Sequence, residues 1–130
     1  MSSTYTLDQR IVTEAGTLQA QAEFTGTLEV NLAGEAITAD ASDQEIGFDL
    51  DVSAVQAMYI LADQDLTIET NDAESPDDTL SLKANKPYIW HTGGYFTNVF
   101  DTDITSLFVT NGSGTATNLY IRALVDPSPA

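Results

Sequence analysis

The feature that most constrains the fold is an alternation of apolar and polar residues along most of the chain. Every second residue is apolar in such a segment, as expected of a strand that buries one face. Segments of this kind are 28–32, 47–52, 66–69, 80–83 and 119–125. Two more segments, 58–62 and 104–110, are apolar on both faces, which is typical of central strands. No useful window has the spacing of a helix, so the sequence predicts an all-β protein.

Turn residues separate the predicted strands. Residues 71–78 form a polar loop, residues 92–94 read as a tight turn, and Asn111-Gly112-Ser113-Gly114 predicts a hairpin. About eight to ten short strands at this spacing indicate a single antiparallel β-sandwich or barrel over residues 1–130. The pattern leaves jelly-roll and immunoglobulin-like topologies open. We expect an N-terminal arm over residues 1–15 and a proline-containing tail over residues 126–130.

The composition excludes several classes of function. The chain has 130 residues, with 20 Asp and Glu against 4 Lys and Arg, and a formal net charge of -16. Such a polyanion repels phosphate backbones and anionic lipid headgroups, so we predict neither a nucleic-acid partner nor a membrane partner. Hydrophobic residues make up 42% of the chain, too many for an acidic disordered protein.

Further sequence signals are missing. Cysteine is absent, which leaves no disulfide framework and no thiolate chemistry. The N-terminal residues lack the basic start and apolar run of a signal peptide, and no stretch approaches the ~20 apolar residues of a membrane span. We therefore expect a protein that is made in a cytoplasm and is not exported by a signal of its own.

Acidic pairs are the most abundant candidates for chemistry. Asp49 and Asp51 share a strand face, and further pairs lie at strand ends or in loops. An EF-hand spacing that starts at Asp63 fails at its sixth position, where Ile68 replaces the required glycine. The separation that a glycosidase carboxylate pair needs cannot be seen in a sequence. We predict no metal site and no cofactor, and leave open a divalent cation that bridges subunits.

The sequence carries no catalytic signature. His91 is the single histidine, and it stands before a glycine turn without a nucleophile-elbow motif elsewhere. Neither a P-loop nor a G-x-G-x-x-G motif is present. We therefore predict that the protein is not an enzyme and has no catalytic residues.

Aromatic residues gather between Tyr88 and Phe100. Such residues are common both in cores and as interface anchors. We expect most of them to pack in the core, with Tyr95 and Phe96 the best candidates for an exposed contact. If those rings instead form a platform for sugars, the protein is a glycan-binding module of a tail or fibre, or of a surface adhesin.

The C-terminal half of the chain carries a family resemblance. It lies in strand-and-turn motifs at residues 59–71, 75–80, 82–87, 107–111 and 119–124, and at Trp90. In these motifs the chain resembles small virion proteins of tailed bacteriophages that decorate or cement the head.

The resemblance implies a non-enzymatic protein with a jelly-roll-like sandwich on the outer capsid surface of a virion. It also implies two partners, the major capsid protein and the chain itself as a homotrimer. It carries over no catalytic residues. Our candidate interface residues are Tyr5, Arg10, Trp90, Tyr95 and Phe96.

Overall fold

The computed structural model describes residues 2–126, which contain ten strands and one short 3-10 turn, Val52–Ala54. The strands are β1 (Ser3–Thr13), β2 (Gly16–Gly26), β3 (Leu28–Ile37), β4 (Gln44–Leu50), β5 (Val55–Leu61), β6 (Leu66–Thr70), β7 (Thr79–Leu82), β8 (Tyr88–His91), β9 (Ile104–Thr110) and β10 (Thr117–Val125). The all-β prediction is confirmed. Of the predicted tail, residues 127–130 lie outside the described residues.

Eight of the strands form two antiparallel sheets of four strands each. The first sheet has the order β3-β10-β5-β8, and the second sheet has the order β4-β9-β6-β7. Apart from β6 and β7, strands that follow one another from β3 to β10 lie in different sheets. This crossing pattern is that of a jelly roll, so the predicted jelly-roll-like sandwich is confirmed.

The core lies between the two sheets and follows from the alternation in the sequence. On β10, Leu119, Ile121, Ala123 and Val125 are buried on the inner face, whereas Arg122 points outward and is exposed. Full burial of a Leu or Ile side chain contributes roughly 1.5–3 kcal/mol. The two segments that are apolar on both faces, β5 and β9, each lie between two neighbouring strands, as predicted.

A two-stranded hairpin, β1 with β2, adds a third layer that the sequence pattern did not reveal. We call residues 3–26 the N-terminal hairpin. Its ladder is regular from Ser3↔Gly26 to Thr13↔Gly16. The Thr13 hydroxyl accepts a hydrogen bond from the Ala15 amide at 3.2 Å, and Gly16 adopts a φ of 128°, which favours glycine. The arm predicted over residues 1–15 corresponds to the first strand of this hairpin and its turn.

The prediction of a hairpin at Asn111–Gly114 is wrong. Strand β9 belongs to the second sheet and β10 to the first, so this loop crosses between sheets. Neither Asn111 nor Gly112 has the positive φ that an Asn-Gly hairpin turn requires. The buried Asn111 side chain instead donates to the carbonyls of Thr38 and Thr115 and accepts from Ser113, which ties the loop to the body.

Candidate functional site

The base of the N-terminal hairpin is packed on the outer face of the first sheet. Leu124 and Ala57 lie opposite each other on that face and are buried. The next pairs along the same face, Arg122 with Tyr59 and Tyr120 with Leu61, are exposed or half-buried. Gly26 lies against Leu124 so closely that a Cβ on Gly26 would be 2.6 Å from the Val125 carbonyl oxygen. The Phe24 ring meets the His91 ring with centroids 5.0 Å apart. These contacts hold the hairpin to the sandwich.

Tyr5 belongs to the same anchored base. It pairs with Phe24 across the hairpin, and its hydroxyl is buried without a hydrogen bond of normal geometry to any described residue. Burial and the neighbouring Glu29 carboxylate raise the pKa of Tyr5 to about 12, and the nearby Arg122 guanidinium opposes this shift. Tyr5 therefore stays neutral at physiological pH and acts as an anchor.

The remainder of the hairpin, residues 8–23, is exposed without interruption, and we call it the distal half. The register places Gln9 opposite Ala20 and Ile11 opposite Leu18, on the face that Tyr5 and Phe24 use nearer the base. We call this the inner face. Ile11 is 58% exposed and Leu18 is 76% exposed, so large apolar side chains on this face contact little of their own domain.

The outer face of the distal half has a different character. Asp8, Arg10 and Glu23 alternate with the inner-face residues, and the Gln19 amide donates to Asp8 at 2.7 Å across the two strands. Val12 is the one large apolar residue on this face. The ribbon is therefore amphipathic, with an uncharged face and a charged face.

A groove of about 320 Å³ lies between the hairpin and the end of β8, and we call it the hairpin groove. One wall is formed by Gln9 and residues 20–22, and the other by residues 89–91 and 93–96. No Asp, Glu, Lys or Arg lines it, although the chain carries 20 acidic residues. The groove is thus an uncharged concavity on a strongly anionic molecule.

The loop that follows β8 carries two exposed aromatic rings on an anchored backbone. The Trp90 indole donates to the Phe96 carbonyl at 2.9 Å, and the Tyr88 hydroxyl accepts from the Val99 amide at 2.9 Å. The side chains of Tyr95 and Phe96 are nevertheless 103% and 81% exposed. Two exposed rings on an anchored loop are suited to contact another molecule.

His91 ends β8 beside this loop. Because a carbonyl only accepts hydrogen bonds, the 3.0 Å contact with the Thr92 oxygen requires the proton on Nδ1. The ring also packs against the Phe24 ring at an angle of 36°. Gly94 lies so close that a Cβ there would be 2.7 Å from the His91 ring. These contacts give His91 a packing role at the floor of the groove.

The structure places the five predicted interface residues in two groups. Trp90, Tyr95 and Phe96 come together in the hairpin groove, with Trp90 half-buried beside the core. Tyr5 lies at the anchored base, and Arg10 lies on the outer face of the distal half. Ile11, Leu18 and Ala20 were not predicted from the sequence. The alternation that could have revealed them runs on both sides of Gly16.

The acidic residues are spread over the surface. Asp51 accepts a hydrogen bond from the Ser53 hydroxyl at 2.7 Å, and Asp63 accepts one from the Thr117 hydroxyl. Both carboxylates therefore already have hydrogen-bond partners within the chain. On the second sheet Glu69 lies near Asp43, and its pKa is raised by desolvation and by that neighbouring carboxyl. Across residues 2–126, His, Asp and Glu form no group of three or more that could hold a metal ion.

Comparisons with known proteins found no match to this chain. No family model matches it, and neither a curated protein nor a solved structure matches it. Within the described part of the chain, no helix has the length and apolar character needed to cross a membrane. The resemblance to phage head proteins therefore stays a prediction.

Proposed function

We propose that the protein is a non-enzymatic virion protein that decorates and stabilises the head of a tailed bacteriophage by binding the lattice of major capsid protein. The observation that supports this most is the distal half of the hairpin. It is a regular ribbon with an uncharged face, and all of residues 8–23 are exposed. A two-stranded ribbon alone is marginally stable in water, so such a surface is typical of a subunit that is completed by assembly.

The jelly roll agrees with this proposal. Jelly rolls are common in viral capsid proteins and in lectins, so the fold is compatible with the proposed role without deciding it. In this chain the loops and the N-terminal hairpin are additions to the two-sheet sandwich, and they supply the surfaces available for binding a partner. The large negative charge would also keep the subunit away from the nucleic acid packed inside a head.

The experiment that tests the proposal is co-sedimentation of the purified full chain with capsids that lack it. We expect the protein to pellet with those capsids and to saturate at a fixed ratio to the capsid protein. Capsids that already carry a full complement are the control and should bind none. Protein that stays in the supernatant with undecorated capsids at micromolar concentration would contradict the proposal.

A second candidate is a glycan-binding module, favoured by one specific feature of the groove. Exposed Tyr95 and Phe96 stand beside the side chains of Gln9 and His91, which can hydrogen-bond to sugar hydroxyls. A glycan array, followed by Trp90 fluorescence titration of any hit, tests it. Binding that Tyr95→Ala abolishes, together with no capsid binding, would replace the first proposal by this one.

A further inference from the structure

The inner face of the distal half ends in an apolar pair, Ile11 and Leu18, which lies beyond the hairpin groove and does not line it. The groove, between the hairpin and the aromatic loop, is open and uncharged. We propose that the distal half of the hairpin docks on a second copy of this chain, with Ile11 and Leu18 in the hairpin groove of the neighbour. This inference rests on the proposed function, and it identifies a second copy of this chain as the partner that the hairpin binds.

The distribution of charge favours a second copy as the occupant. Two copies with a formal charge of -16 each repel, so they can meet only where carboxylates are absent. On the distal half, Asp8, Arg10 and Glu23 all lie on the outer face, and Glu14 lies in the turn. A contact with a basic partner would instead be expected to place carboxylates on the contacting face. The inner face and the groove have none.

Each contact uses the ribbon of one subunit and the groove of the next. The groove is lined by 11 residues, fewer than the roughly 20–30 per side of a standard interface, so the contact is small and its aromatic rings supply much of its area. Tyr95 and Phe96 can each bury roughly 150–250 Å², a large part of the ~800 Å² per partner in an interface of standard size. Because a ribbon enters a groove, the contact is head-to-tail and closes into a ring when the rotation allows.

Matched substitutions on the two faces of the ribbon test the inference. Leu18→Glu adds a carboxylate to the inner face, and Val12→Glu adds the same group to the outer face. Leu18 is 76% exposed and Val12 is 65% exposed, so neither change disturbs the core. In sedimentation velocity at about 0.5 M salt, where charge repulsion is screened, we expect self-association of the wild type and of Val12→Glu. Leu18→Glu should associate at least about tenfold more weakly.

The groove side is tested by Phe96→Ser. Phe96 anchors Trp90 through its main-chain carbonyl, so loss of the ring leaves that bond intact. We expect Phe96→Ser to self-associate as weakly as Leu18→Glu. An equimolar mixture of these two variants should form a dimer, since one retains the groove and the other retains the ribbon. Trp90, the single tryptophan, should shift its emission to the blue on association as water leaves the groove.

Three outcomes would overturn the inference. They are a wild type that stays monomeric at all concentrations, equal effects of Leu18→Glu and Val12→Glu, and a mixture of variants that does not associate. If the monomeric wild type binds capsids and Leu18→Glu does not, the ribbon binds the capsid surface, and the proposed function survives without this inference. If self-association follows the expected pattern and capsids bind nothing, the proposed function fails alone.

Discussion

At the residue scale, Tyr5 helps to hold the hairpin on the sandwich, but its buried hydroxyl lowers the stability of the fold. Tyr5 is half-buried at the base of the hairpin, and its hydroxyl lies near Glu29 and Arg122 without a hydrogen bond of normal geometry. An unpaired buried polar group costs about 1–3 kcal/mol. The raised pKa of Tyr5 has the same origin, because burial and the Glu29 carboxylate both disfavour the phenolate.

We predict that Tyr5→Phe leaves the free energy of unfolding at neutral pH unchanged or raises it by about 1 kcal/mol. Above neutral pH the sign follows from linkage. The folded state holds the Tyr5 proton up to about pH 12, whereas the unfolded state releases it near pH 10, so stability falls between these values. Tyr5→Phe should lose less stability over that interval. Urea denaturation at neutral pH and across the interval measures both effects.

The control for this prediction is Tyr95→Phe, which removes a hydroxyl from a fully exposed ring. Burial also raises the pKa of Tyr88, and this contribution is common to all three proteins. A pH dependence of Tyr5→Phe equal to that of the wild type would show that the Tyr5 hydroxyl is not the group that titrates.

At the scale of elements, the junction between hairpin and sandwich depends on Gly26. A Cβ at this position would be 2.6 Å from the Val125 carbonyl oxygen and 2.9 Å from Leu124 Cγ. We predict that Gly26→Ala destabilises the protein by about 1–3 kcal/mol, since the hairpin base must move away from β10. The midpoint of denaturant unfolding measures the loss of stability. The amides of the hairpin should also exchange hydrogen faster in Gly26→Ala than in the wild type.

Gly47→Ala is the matched control, because Gly47 lies in β4 and a Cβ added there would have no neighbouring atom within 4 Å. It should be neutral or stabilising by up to about 1 kcal/mol. Equal losses for the two variants would mean that the close approach at Gly26 does not hold the hairpin. Unchanged exchange in the hairpin of Gly26→Ala would lead to the same conclusion.

Seven of the eight strands of the sandwich could be predicted because their inner faces are apolar at every second residue. Strand β8 does not show this alternation, since all four of its residues are half-buried. The hairpin was missed since Gln9, Ala20 and Ala22 dilute the same pattern on its strands. The Asn111-Gly112 sequence was misread because a local turn signal does not reveal that β9 and β10 join different sheets. The Asn111 side chain instead donates to the Thr38 carbonyl, 73 residues earlier in the chain, and to the Thr115 carbonyl within the same loop.

The candidate site could be predicted only in part. The exposure of Tyr95 and Phe96 was expected, and the structure confirms it. The groove was not predicted, since its walls are formed by Gln9 and residues 20–22 on one side and residues 89–91 and 93–96 on the other, which only the folded hairpin brings together. Leu124 illustrates the same difficulty, because its place on an outer strand face predicts exposure, whereas the hairpin covers it.

At the scale of the whole molecule, the charge lies on the surface. Among residues 2–126 the buried polar side chains are Thr70, Asn111 and Thr117, and none of the charged residues is buried. All 20 acidic residues fall within this range. The charge of -16 therefore acts between subunits as a repulsion that any self-contact must overcome.

We predict that salt strengthens self-association, by a factor of roughly 3 or more, as the screening length falls from about 10 Å at 0.1 M to about 3 Å at 1 M. The reason is that the contact itself is uncharged, so salt weakens the repulsion between the acidic surfaces and leaves the apolar contact in place. Sedimentation equilibrium at the two salt concentrations measures the change, and Leu18→Glu should associate more weakly than the wild type at both. Magnesium at equal ionic strength tests whether a divalent cation bridges carboxylates, which would add to the effect of screening. Association that weakens steadily as salt rises would instead indicate attraction to a basic patch, and the repulsion argument would be wrong.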